Sequence, residues 1–254
     1  MADNTNSRDR MQAILVLVAT GAMIAFNALA ATGYVNGITP AQISAKYPTL
    51  LTPAGYAFSI WSFIYLGLSA FSIHRLLPGN VTRYRTIRSL YIFSCVLNCG
   101  WIFFWHREQI VICAAIILLL AATLWLIRYK LKPYDTTGDT WLAKAPFGIY
   151  SGWVTAASAV NILVMISYLN AGISSYAANL LAITLIALST AGAVVARVIL
   201  RDFLFPLAVA WALTAIAIKQ SGNTAIVVAT AVGVVVCFIT AGSIVTQLKD
   251  STSE

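Results

Sequence analysis

Three stretches of the sequence set aromatic rings within otherwise apolar runs, two of them beside amides. Tyr56, Phe58, Trp61 and Tyr65 fall in the first, Asn98, Trp101, Phe104 and Trp105 in the second, and Tyr150, Trp153 and Asn161 in the third. Trp61 and Tyr65 are four residues apart, Asn98 and Trp101 three, and Trp153 and Asn161 eight, so on helices each pair returns to one face. The chemistry such faces offer is recognition. Rings supply flat apolar area and stacking, and a few amides fix the orientation of what is bound. A second reading assigns the rings to interfacial belts and the amides to hydrogen bonds between helices. Trp101 and Trp105, near a predicted helix end, suit a belt, whereas Asn98, Trp153 and Asn161 lie too deep for one.

Little else in the chain could do chemistry. The acids are Asp3, Asp9, Glu108, Asp135, Asp139, Asp202, Asp250 and Glu254, and none sits in the middle of an apolar run. That argues against a carboxylate-coupled pump and against enzymes that need paired acids within a membrane. No phosphate-binding glycine loop, dinucleotide fingerprint or histidine-rich metal motif occurs. No catalytic set and no metal site is therefore assigned, and no cofactor is required. His74 and His106 stand at ends of apolar runs; His106 has the chemistry of an axial haem ligand, but an interfacial polar role is simpler. Lys144 and Lys219 also lie near predicted interfaces, where snorkelling accounts for them better than Schiff-base chemistry. Cys95, Cys99, Cys113 and Cys237 fall inside apolar runs and read as small buried residues.

These side chains need elements to position them, and the composition says which. The chain has 254 residues, 60% hydrophobic and 9% charged, with a mean hydropathy of +0.84. A soluble domain carries about 25% charged residues, so most of this surface must face lipid, where helices satisfy their own backbone. The fold class is all-α, a polytopic transmembrane bundle. Runs near 11–33, 54–76, 88–105, 109–128, 143–168, 176–199, 203–218 and 224–246 predict about eight spans, the seventh short. Arg8 and Arg10 precede the first run, and Ala28-Leu29-Ala30 has the look of a cleavage site, but the run is long enough to be a retained span.

With eight spans and a cytoplasmic N-terminus, all of the 16 basic residues fall inside except Lys46, Arg107 and Lys219. This bias supports the span count and places both termini in the cytoplasm. The net charge of +8 then serves orientation and lipid headgroups, and no basic face remains for nucleic acid. Residues 34–52, with Pro40 and Pro48, form the longest outer connection and could cap the bundle. Pro78-Gly79 marks a turn in the basic inner loop 78–87.

Three motifs, in order and on the matching spans, resemble the TspO/MBR family of translocator and tryptophan-rich sensory proteins. Pro53 and the Trp61-x-x-x-Tyr65 of the run beginning Thr52-Pro53-Ala54-Gly55-Tyr56 are similar to the family's second helix. Leu97-Asn98-Cys99-Gly100-Trp101 resembles the L-N-x-x-W of its third, and Trp153 through Asn161 the W-x-x-F-A-x-x-L-N of its fifth. Thr52 stands where the family has a first proline, and Ala156 where it has a phenylalanine. Val81-x-x-Tyr84-x-x-x-Arg88 fits the loose sterol-recognition pattern.

The resemblance covers residues 11–168 and implies a five-helix core over 1–168, with 169–254 as a three-helix C-terminal extension. It implies binding, sensing or transport of a flat hydrophobic ligand, a tetrapyrrole such as porphyrin or a haem precursor, or a sterol-like molecule. Pro53, Tyr56, Trp61, Tyr65, Asn98, Trp101, Tyr150, Trp153, Ala157 and Asn161 would line or support the pocket, and loop 34–52 would be its lid. Partners would be membrane lipid and the ligand, and Gly67, Gly152 and the Gly192 region offer small residues for helix contacts, including a homodimer. Three rival functions remain open: a permease for another small molecule, suggested by the three extra spans, an enzyme degrading porphyrin, and a partner or assembly subunit with no ligand, suggested by those glycines.

Overall fold

The computed structural model describes residues 2–77, 79–169 and 172–243. Pro78 of the expected inner turn, and Lys249, Asp250 and Glu254 of the charge pattern, lie outside the described residues. Among the described residues there are no strands. The helices are α1 (Ala2–Ala31), α2 (Pro40–Lys46), α3 (Ile60–His74), α4 (Arg88–His106), α5 (Ile110–Leu131), α6 (Ala145–Leu169), α7 (Ser175–Leu200), α8 (Leu204–Lys219) and α9 (Thr224–Gly242). Seven stretches among the described residues are long and apolar enough to cross a membrane, and the chain is a multi-pass integral membrane protein. The expected seventh span, α8, has 16 residues. At about 1.5 Å per residue it falls short of a hydrocarbon core of about 30 Å.

The expected second span starts later as an α-helix than its apolar run does. Gly55–Ser59, including Tyr56 and Phe58, forms a 3-10 turn, and the α-helix begins at Ile60. The long connection before it holds α2, which sequence periodicity did not suggest. Its start is a capping box: Gln42 Oε1 accepts from the Thr39 backbone at 2.7 Å, and Thr39 Oγ1 accepts from the Gln42 backbone at 3.3 Å. Pro40 at the first helical position costs nothing, because its missing N–H would have had no partner there.

The chain forms two compact units, Met1–Ile43 with Ile60–Phe147, and Ser44–Ser59 with Gly148–Glu254. In the first, α4 packs against α5 and α1, and α1 against α3. Phe71, Tyr84, Tyr91 and Phe147 are all fully buried. Ring centroids of Phe71 lie 5.5, 5.6 and 5.1 Å from those of Tyr84, Tyr91 and Phe147, mostly edge-to-face as ring quadrupoles prefer. Thr20 Oγ1 ties α1 to α3 and α4 through Ser72 and the Tyr91 hydroxyl, each at 2.7 Å.

Three arginines of this unit are held by two aspartates. Asp9 pairs with Arg85 and Arg88, and Arg88 also donates to the Val81 carbonyl. Asp139 pairs with Arg83, accepts from the Tyr84 hydroxyl, and closes a capping box with Thr136 ahead of a wide π turn at Thr140–Lys144. Burial and then the Asp139 hydrogen bond push the Tyr84 phenol up. Asp139 likewise raises Arg83. Val81, Tyr84 and Arg88 are thus all engaged inside the unit, and the loose sterol pattern they match is spent on structure. Arg75 is fully buried, with its guanidinium 5.6 Å from the Phe71 ring centroid. Burial, with Arg88 nearby, lowers it to about 10, so it stays cationic at neutral pH.

In the second unit α8 packs against α9 and α7. Arg201, in the left-handed region at φ 52, ends α7, and Asp202 caps α8 by accepting from the backbones of Leu204 and Phe205 at 3.0 and 3.1 Å. α6 meets α8 closely at Gly152, where a Cβ would stand 2.5 Å from the Phe205 carbonyl oxygen and 2.9 Å from the Ala208 methyl. Gly152→Ala is therefore expected to lower the thermal unfolding midpoint in detergent, at a cost of about 1–3 kcal/mol from overpacking. Gly21→Ala, whose Cβ meets nothing within 4 Å, should leave it unchanged or raise it. Equal midpoints for the two variants would refute the close packing of α6 on α8.

Candidate ligand site

The sequence-predicted site residues fall in both units, and each group has its own geometry. In the first unit Trp61 and Tyr65 stack on one face of α3, ring centroids 5.4 Å apart and planes 20° from parallel. Both are half-buried. Asn98 on α4 is fully buried and accepts from the Asn27 amide of α1 at 2.7 Å. Trp101 stacks on Trp105 at 5.6 Å and 18°. Both are buried, and Trp105 Nε1 donates to the Pro40 carbonyl at 3.2 Å. These two tryptophans are therefore not a lipid-facing belt as the sequence suggested. The segment carrying Asn36 and α2 folds over the end of α4 and covers them.

The same cover reaches His106. Asn36 donates to its carbonyl at 2.8 Å, and its ring is buried, with Nδ1 2.9 Å from the Ile102 carbonyl. The imidazole is thus packed inside protein, not set at a water interface.

In the second unit Tyr150, Trp153, Ala157 and Asn161 share one face of α6, as their spacing requires. Tyr150 is fully buried, Trp153 and Asn161 nearly so, and the Asn161 amide donates to the Ala157 carbonyl at 2.9 Å. Trp153 meets Phe58 edge-on at 6.1 Å. Pro53 is buried in the segment that leads to the 3-10 turn. That segment is fastened to α8: Ala54 N–H donates to the Ala215 carbonyl at 3.0 Å, and Trp211 Nε1 to the Ala57 carbonyl at 3.0 Å. Tyr56 lies edge-on against Trp211 at 5.3 Å and is exposed. Gln220 Nε2 completes the fastening, donating to the carbonyls of Thr49 and Thr52 at 2.8 and 3.3 Å.

Beside this fastened segment the second unit forms a half-open cavity of about 440 Å³, with Lys219 exposed at it. Leu50, Leu163 and Ile173 give it apolar walls, Thr49, Ser167 and Gln220 give it polar atoms, and Lys219 gives it a positive charge. None of the ten sequence-predicted residues lines it. Among the described residues no cluster of histidines, cysteines or acids could hold a metal.

The family model described as TSPO-like protein matches residues 13–244. The chain belongs to the TSPO-like family. The match runs past residue 168, where the quoted motifs end, through α7, α8 and α9. Membership makes this TSPO-like chain a membrane protein of a kind associated with hydrophobic ligands. No curated protein and no solved structure matches it.

The Asn27–Asn98 bond offers a test of the buried amide. Asn98→Leu is expected to destabilise the protein by about 1–3 kcal/mol, the cost of a lost buried partner. Asn27→Leu combined with Asn98→Leu should cost less than the sum of the two single variants. Strict additivity in thermal or denaturant unfolding would show that the two amides do not depend on each other.

Proposed function

We propose that this protein binds a flat hydrophobic ligand, a tetrapyrrole such as porphyrin or a haem precursor, and carries or senses it in the membrane. The observation that supports this most is the near-parallel Trp61–Tyr65 pair, half-open on one helix face. Two rings held parallel offer the surface a planar conjugated molecule stacks on, and stacking adds about 0.5–1.5 kcal/mol per pair beyond area burial. The buried amide of Asn98, in the same unit, is the kind of polar group that such a site uses for orientation. These residues include no carboxylate, histidine or lysine, which favours binding or transport over breakdown of the ligand.

The test is a titration of the purified full chain with protoporphyrin, following tryptophan fluorescence. Trp61→Leu, Trp153→Leu and the double variant are run beside it, each with its unfolding midpoint checked. Saturable quenching that weakens about tenfold in the double variant is the expected result, since 1.4 kcal/mol is a factor of ten. No saturable quenching in the wild type would drop the tetrapyrrole assignment and bring a permease for another substrate forward.

The orientation follows from the charge bias: both termini are assigned to the cytoplasm. A membrane-impermeant maleimide added to intact cells should label a cysteine placed at Lys46 and spare one placed at Lys130. The reverse pattern would invert the topology.

A further inference from the structure

The cavity in the second unit is not accounted for by the aromatic and amide faces, and its chemistry differs from theirs. Its walls are Leu50 in the connection before the 3-10 turn, Leu163 on α6 and Ile173 ahead of α7, with Lys219 at the end of α8. A lysine in the last turn of a helix is ordinarily explained by the helix dipole and by solvent. Three observations go further. Lys219 makes no ion pair among the described residues. The segments that meet at this end of the unit, residues 44–59, 172–178 and 219–224, contain no aspartate or glutamate, so they bring no carboxylate to neutralise it. The cavity also borders the N-terminus of α7, through Ile173 and Ala178. The first-turn amides of that 26-residue helix add positive potential of the kind that attracts anions.

We infer that this cavity binds an amphiphilic carboxylic acid, its apolar body against Leu50, Leu163 and Ile173 and its carboxylate at Lys219. One cation matches one carboxylate. The Thr49 and Ser167 side chains at the cavity bring hydroxyl groups to the same space, suited to the acid's remaining lone pairs. A volume of about 440 Å³ lies in the range of sites that enclose most of one small ligand, about 300–1,000 Å³. The two chains and headgroup of a phospholipid would not fit wholly within it. The site is separate from the Trp61 and Trp153 faces, so it stands or falls independently of the tetrapyrrole reading.

The experiment is native mass spectrometry of the full chain released from a neutral detergent, titrated with palmitoleic acid and, separately, with its methyl ester. Lys219→Gln, Lys219→Arg and Leu163→Trp are compared with the wild type. Wild type is expected to take up one acid adduct saturably and the ester more weakly. Lys219→Gln should weaken the acid about fivefold, the effect of losing a partly exposed ion pair of about 1 kcal/mol. It should leave the ester unchanged, Lys219→Arg should retain the acid, and Leu163→Trp should lose both by filling the cavity. Equal binding of acid and ester by the wild type would overturn the inference even if the variants failed to fold. So would an acid adduct indifferent to Lys219→Gln, or one displaced by phosphatidylglycerol, which would make the cavity a lipid-headgroup site. Protoporphyrin quenching measured on the same samples keeps the two readings apart.

Discussion

Hydrocarbon offers no hydrogen bonds, so each polar group carried into these helices has to be met by another part of the chain. The structure follows from how that need is met. Thr20, Ser72 and Tyr91 meet one another across three helices, and Asn27 meets Asn98 across two. Other hydroxyls also turn back on their own helix, as Thr123 does to Leu119 and Ser158 to Val154. Charges are treated unevenly: the buried Arg75 guanidinium lies over the Phe71 ring with no hydrogen bond among the described residues. The two aspartates near the basic end of the first unit each gather more than one donor, which keeps three arginines in place.

The same need explains what was legible beforehand. Apolar runs of spanning length are a direct trace of lipid as solvent, so the long helices could be read from sequence, as could the brevity of α8. Spacings of three, four and eight residues placed Trp61 with Tyr65 and Trp153 with Asn161, because a helix repeats regardless of its neighbours. The depth of Asn98 was legible for the same reason.

Tertiary cover was not legible. Trp101 and Trp105 look like a belt in sequence because nothing local says that Asn36 and α2 will fold over them. The signal for α2 itself was present, in Thr39-x-x-Gln42 with Pro40 between them, but a seven-residue helix leaves no periodicity. The cavity was invisible because its lining comes from residues 45–52, 163–167, 173–178 and 219–220, which no pattern along the chain connects. A lone lysine beside an apolar run looks the same whether it faces water or a ligand.

The segment Ser44–Ser59 belongs to the unit completed by the C-terminal half of the chain. Its fastening to Trp211 joins residues 154 positions apart. During synthesis this stretch leaves the ribosome long before Trp211, Ala215 and Gln220 exist, with its backbone carbonyls unmet. Closing so long a loop is a late event governed by topology and not by local preference. The cavity beside it is therefore among the last features of the molecule to take shape. A chain cut short before α8 would retain all ten sequence-predicted site residues and yet have no means of holding this segment down.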